Sequence, residues 1–132
     1  MYKFGKTSNK RLGTLCLPLQ HILNTAIRCI DFSILEGHRN KLTQNKYYRE
    51  GKSKLQYPLS KHNSYPSHAV DIAPYPINWE DRDRFAYLAG VIKGTAHSLG
   101  YKIRWGGDWD NDNDFKDNNF DDLVHFELME EE

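Results

Sequence analysis

Apolar residues recur at three-and-four spacing through Leu12, Leu15, Leu19, Ile22, Leu23, Ala26, Ile27 and Ile30. That is the period of a helix with one buried face. Pro18 lies within the run. Proline has no amide hydrogen and a fixed φ, so it suits the first turn of a helix and not its interior. The pattern predicts a turn over Ser8–Thr14 and a main helix from about Pro18 to Cys29. Phe32–Glu36 is a predicted strand ending at Gly37-His38-Arg39, and Thr43–Arg49 reads as a short surface helix. Gly51–Ser67, with its Lys, Ser, Pro and Tyr, reads as a long loop. Loops of that length in a small domain usually carry function.

The second half repeats the alternation of element types. In the predicted strand His68–Pro74, Val70 and Ile72 face one side and Asp71 and Ala73 the other. Asn78 is the predicted cap of a long helix, with Glu80 and Asp81 in its first turn. Phe85, Leu88, Ala89, Ile92, Ala96 and Leu99 form its buried stripe, and Gly100 ends it. Tyr101–Trp105 and Val124–Leu128 are two more strands, separated by the Asp-, Asn- and Gly-rich loop Gly106–Asp122. Too few βαβ units occur for a doubly wound sheet. The expectation is one α+β domain over residues 1–132, a small, mainly antiparallel sheet packed with helices.

Charge and composition narrow the class. Apolar residues make up 39% and aromatics 13%, enough for one core. Eighteen Lys and Arg offset eighteen Asp and Glu. Nucleic acid is therefore not expected as the main partner, because phosphate binding needs a basic surplus. No stretch approaches the roughly 18 apolar residues of a membrane span. No signal-length apolar run follows Met1, so the chain carries no visible export signal of its own. Cys16 and Cys29 fall among apolar positions and read as small core residues, not as a disulfide. A monomer is expected.

The chemistry lies on three segments. His62, Asp71 and His125 come from separate stretches and suit a zinc site with three protein ligands and a fourth position for water. Asp71 stands between Val70 and Ile72, and a buried carboxylate needs a cation or a donor. Asp122, three residues before His125, could act as the base on that water. Taken singly, each residue also fits an ordinary structural role: a salt-bridged Asp71, a core His125, an exposed His62.

Ser60-Lys61-His62, Ala69-Val70-Asp71 and Asp122-Leu123-Val124-His125 resemble the zinc peptidase family of the D-alanyl-D-alanine carboxypeptidases. That family includes the L-alanyl-D-glutamate endopeptidases used as bacteriophage endolysins. Tyr2-Lys3-Phe4-Gly5-Lys6, Glu36-Gly37-His38-Arg39, Asp71-Ile72-Ala73-Pro74-Tyr75 and Arg104-Trp105-Gly106-Gly107-Asp108-Trp109 look like the phage enzymes in the same order. The resemblance implies zinc held by His62, Asp71 and His125 on the sheet, and Asp122 as general base and later acid. It implies Arg39 as the arginine that holds the carbonyl oxygen while charge develops. It also implies the stem peptide of bacterial peptidoglycan as substrate, cut after release to the cell wall of the host. A D-alanyl-D-alanine carboxypeptidase and a non-catalytic, zinc-stabilised wall-binding module are the alternatives. This chain departs from the family in one place: nine residues separate His62 from Asp71 where seven is usual, and Ser67 stands where Gly is common. His68 competes for the first ligand position, but three residues from Asp71 it points to the other side of an extended strand.

Asp108–Asp114 alternates oxygen-bearing side chains as calcium loops do, without the usual Gly and Glu, and is read as a possible calcium site or a solvated acidic loop. Trp105, Trp109 and Tyr75 are candidates to line a substrate groove. His21, His38 and His97 carry no motif, and Glu130–Glu132 is a charged tail.

Overall fold

Four antiparallel strands lie in the order β1-β2-β4-β3. The computed structural model describes residues 1–112 and 122–129. Along the chain run α1 (Lys6–Leu12), α2 (Leu17–Ala26), β1 (Phe32–Glu36), α3 (Lys41–Arg49), a 3-10 turn (Lys61–Asn63), β2 (Ala69–Pro74), α4 (Arg82–Ser98), β3 (Ile103–Gly106) and β4 (Asp122–Leu128). This is the α+β architecture that the pattern predicts.

One face of the sheet is the core. Leu19, Ile22, Leu23 and Ala26 of α2 and Leu88, Ala89, Ile92 and Ala96 of α4 pack with Ile34, Val70, Ile72, Ile103 and Phe126. Val70, Ile72 and Phe126 are fully buried. Period-two geometry therefore turns Asp71 and His125 to the opposite face, away from α2 and α4.

Two register shifts re-aim side chains on that face. In β1, Ile34 pairs with Ile72 but Glu36 pairs with Asp71, so Leu35 is an extra residue. The bulge moves Glu36 off the core face of Ile34 and onto Asp71's level. In β4, Trp105 pairs with Phe126 but its neighbour Gly106 pairs with Asp122. Strict alternation would put Asp122 on the face opposite His125, and this irregularity frees it from that rule. Gly106 makes the approach possible, since a Cβ there would meet Asp122 O at 2.1 Å and Asp122 Cβ at 2.9 Å.

Several expectations are corrected. Residues 6–12 form a helix, not the predicted turn over Ser8–Thr14, and Ser8 Oγ accepts from Ile34 N at 3.0 Å to dock it on β1. α2 begins with Pro18 in its first turn as expected but ends at Ala26, three residues early. Cys29 therefore lies in the turn beyond and is exposed, while Cys16 is buried; both are free thiols. α3 starts at Lys41 because Asn40 caps it through Thr43 N at 2.9 Å. Asp81, not Asn78, caps α4, its Oδ1 accepting from Arg84 N at 3.3 Å. Asn78 instead accepts from Glu80 N in the preceding turn. β4 begins at Asp122, two residues before the predicted start.

Candidate active site

β2 and β4 are neighbours in the centre of the sheet, and Asp71 pairs directly with His125. His62 reaches them from the 3-10 turn. Ser60 builds that turn: its Oγ accepts from His62 N at 3.2 Å, and Asn63 Oδ1 accepts from Ser60 N at 3.1 Å. Ser67 is buried and pinned to the N-terminal segment through Thr14 O and Cys16 N.

Three atoms converge. His62 Nε2 lies 3.2 Å from Asp71 Oδ1 and 3.2 Å from His125 Nδ1, and His125 Nδ1 lies 3.3 Å from Asp71 Oδ1. A tetrahedral zinc with bonds of about 2.0–2.1 Å has donor–donor edges of about 3.3–3.4 Å. The triangle is one face of such a tetrahedron. The outward ring nitrogens fix its chemistry. His62 Nδ1 donates to Gly37 O at 2.7 Å, and a carbonyl can only accept. His125 Nε2 donates to Glu127 Oε1 at 2.9 Å. With those protons placed outward, two nitrogen lone pairs and a carboxylate oxygen face one another, an arrangement that needs a cation at its centre. The donor set therefore fits a metal.

In the metal-free chain a proton answers the same need. Burial pulls the His125 pKa down, but the hydrogen bonds it donates to Asp71 and Glu127 outweigh that and push it up to about 9. Burial would raise the Glu127 carboxyl, yet His125 and Arg104 hold it down at about 2. Asp71 is likewise held below the ordinary carboxylate range by His62 and His125, against its burial.

Arg39 stands beside the triangle. Its Nη2 is 3.7 Å from Asp71 Oδ2, the oxygen turned away from the histidines. Its Nε donates to Glu36 Oε1 at 2.5 Å and Nη1 to Gln44 Oε1 at 2.9 Å, while the Tyr47 ring lies 4.8 Å from its Cζ. Asp122 lines the same cavity as the three convergent residues and Arg39. Burial, then the charge of Asp71, raises its pKa. The cavity holds about 630 Å³, and Leu55, Leu59 and Trp109 give it apolar walls.

All five residues singled out in the sequence thus meet in one cavity. His68 is outside it, exposed, with its Nδ1 2.8 Å from Ser64 Oγ. Of the aromatics, Trp109 lines the cavity, its ring tilted against that of His125 with centroids 5.4 Å apart. Trp105 is a core residue whose Nε1 donates to Leu123 O at 2.8 Å. Tyr75 lines a separate surface cleft with Tyr2 and Tyr87. Asp108, Asp110 and Asp112 bring carboxylate oxygens within 4.8 Å of one another, with Lys93 Nζ 3.5 Å from Asp108. The rest of the proposed calcium loop, including Asp114, lies outside the described residues, as does the Glu130–Glu132 tail. Glu127 also belongs to the site, where it holds His125 Nε2. Its signal was there, since two residues after His125 in a strand is the same face. Lys61, Glu36 and Gln44 gave no such signal, because loop and bulge geometry bring them in.

A family model described as phage L-alanyl-D-glutamate peptidase matches residues 1–129. The L-alanyl-D-glutamate peptidase of Escherichia phage T5 is 33% identical over 121 residues, covering 88% of this chain and 88% of that protein. Among solved structures, the L-Ala D-Glu endopeptidase ChiX of Serratia marcescens matches with a TM-score of 0.75 and 27% identity. That match covers 96% of this chain and 90% of the other.

Proposed function

This chain belongs to the phage L-alanyl-D-glutamate peptidase family, and on that premise we propose that it is a zinc endopeptidase cutting the L-alanyl-D-glutamate bond in the stem peptide of bacterial peptidoglycan. The observation that carries the zinc is the His62–Asp71–His125 triangle, with edges of 3.2–3.3 Å and both tautomers fixed from outside. Zinc bound there supplies a Lewis acid and lowers the pKa of water toward neutrality.

The chain's own residues do the rest. Asp122 takes a proton from the attacking water and returns it to the leaving amine. Its upward-shifted pKa, from burial and the charge of Asp71, suits a group that must hold that proton in between. Arg39 presents fixed donors beside Asp71, where the carbonyl oxygen gains charge as water attacks. Glu36, Gln44 and Tyr47 hold the guanidinium in that orientation beforehand. Glu127 keeps the His125 proton on Nε2 so that Nδ1 faces inward.

No helix among the described residues is long and apolar enough to cross a membrane. The protein is proposed to work as a monomer on the wall after release from the cell that made it. Digestion of purified peptidoglycan with mass spectrometry of the fragments tests the whole reading. New alanine and glutamate termini are expected. Loss of terminal D-alanine alone would mean a carboxypeptidase, and zinc binding without any fragments would mean a binding module.

A further inference from the structure

α3 has a single buried residue, and it is polar. Gln44 is completely buried, while Leu42 on the same helix is 82% exposed. A surface helix usually docks through an apolar stripe. This one docks through an amide. Gln44 Oε1 accepts from Arg39 Nη1 at 2.9 Å and from Asn63 Nδ2 at 3.1 Å. Gln44 Nε2 donates to Ser53 Oγ at 3.0 Å and to Leu55 O at 2.7 Å. The amide cannot be turned round, because a guanidinium only donates and the Leu55 carbonyl only accepts.

These four bonds join three pieces of the cavity. The first is Arg39. The second is the turn that carries His62, tied in further by Asn63 Nδ2 to Arg39 O at 3.1 Å and Arg39 N to His62 O at 2.8 Å. The third is the wall formed by Ser53 and Leu55. An uncharged group with two donors and an acceptor can serve all of them at once. An aliphatic side chain serves none, and a carboxylate serves only the acceptor side. We propose that Gln44 is a positioning residue that locks Arg39 and the substrate-facing wall at Ser53–Leu55 into one geometry. The proposal rests on the peptidase reading of the same cavity.

Two substitutions separate the two halves of the lock. Gln44→Glu keeps the acceptor for Arg39 and Asn63 but sets a carboxylate oxygen against the Leu55 carbonyl. Its KM for a stem-peptide substrate should rise about tenfold with kcat within about threefold, since binding loosens and the transition-state donor stays put. Gln44→Leu removes both halves, and kcat should fall by about tenfold or more as well, the scale of losing orientation at the reacting centre. A second readout does not depend on turnover. In ¹⁵N-labelled full-length chain, the ordered guanidinium signal of Arg39 should survive in Gln44→Glu and disappear in Gln44→Leu. The amide signals of Ser53 and Leu55 should move in both. An Arg39 signal that persists in Gln44→Leu overturns the proposal whatever the kinetics. If Gln44→Leu does not fold, Gln44→Glu decides alone, and unmoved Ser53 and Leu55 signals with wild-type KM overturn it. A parent chain that cuts no peptide would defeat the peptidase reading while the resonance test still judges the lock.

Discussion

Replacing Glu127 with glutamine asks whether a residue outside the metal triangle sets its affinity. Glu127 uses both oxygens. Oε1 accepts from His125 Nε2 at 2.9 Å, and Oε2 faces Arg104 Nη2 at 2.8 Å and Lys61 Nζ at 3.2 Å. An amide has one acceptor oxygen and cannot face both sides. If that oxygen turns to the two cations, the amide nitrogen meets His125 Nε2. The imidazole must then move its proton to Nδ1, into the space the metal needs. If the oxygen turns to His125, Arg104 and Lys61 lose their counter-charge beside a divalent ion. Either way about one charge-assisted hydrogen bond is lost, roughly 1.5–3 kcal/mol. That corresponds to about 10- to 150-fold in Kd, in line with the roughly 10–100-fold usual for outer partners of metal-bound histidines. Competition with a chromophoric chelator measures the zinc Kd, with circular dichroism to check the fold. A folded Glu127→Gln protein whose Kd stays within about twofold of the parent would refute the reasoning.

Other outcomes follow from the same geometry. Asp122→Asn should retain zinc and fold but lose about two to four orders of magnitude in turnover; near-normal digestion of peptidoglycan would remove Asp122 from the mechanism. Arg39→Lys keeps charge but not the fork that reaches Glu36 and Gln44 together, so kcat should drop more than KM rises, and unchanged turnover would make Arg39 a structural residue. For the metal-free chain, His125 has a raised pKa, so its contribution is complete below about 6.5 and is lost as pH rises through about 9. Glu127 has a lowered pKa, so its contribution is complete above about 4.5 and is lost as pH falls toward about 2. Thermal melts of chelator-treated protein should therefore peak between those ranges, and a flat profile on the alkaline side would contradict the His125 assignment. If the loop at Asp108, Asp110 and Asp112 takes calcium, millimolar calcium should shift its amide resonances and raise activity; silence in both would leave Lys93 as its counter-charge.

The outline of the site was readable from three short motifs and the family they resemble; the sheet explains why those motifs meet. Period-two alternation puts Asp71 and His125 on the face away from Val70, Ile72 and Phe126, while their pairing comes from the strand order and register. The bulges were not readable. Nothing in Ile34-Leu35-Glu36 announces that Leu35 is the extra residue, because both alternatives bury an apolar side chain. The early end of α2 was hidden for a similar reason. Ile27 and Ile30 keep the helical period while the backbone has already turned, so their burial satisfies either reading. Asn78 and Asp81 are both good caps, so residue type alone does not choose between them. Gln44 was invisible because its value lies entirely in partners drawn from three other segments.

The ligands are far apart along the chain. Fifty-four positions separate Asp71 from His125, and sixty-three separate His62 from His125. A metal held by all three therefore ties shut the excursion that carries α4 and β3 before β4 slots in beside β2. Closing a loop of that size costs entropy that grows only slowly with length, and an ion that binds only the closed form shifts the balance toward it. Until β4 arrives, Asp71 and His62 are two donors without a third. The three-donor site and the finished fold thus come into being together, and a chain still being made, or one opened at β4, lacks the third donor.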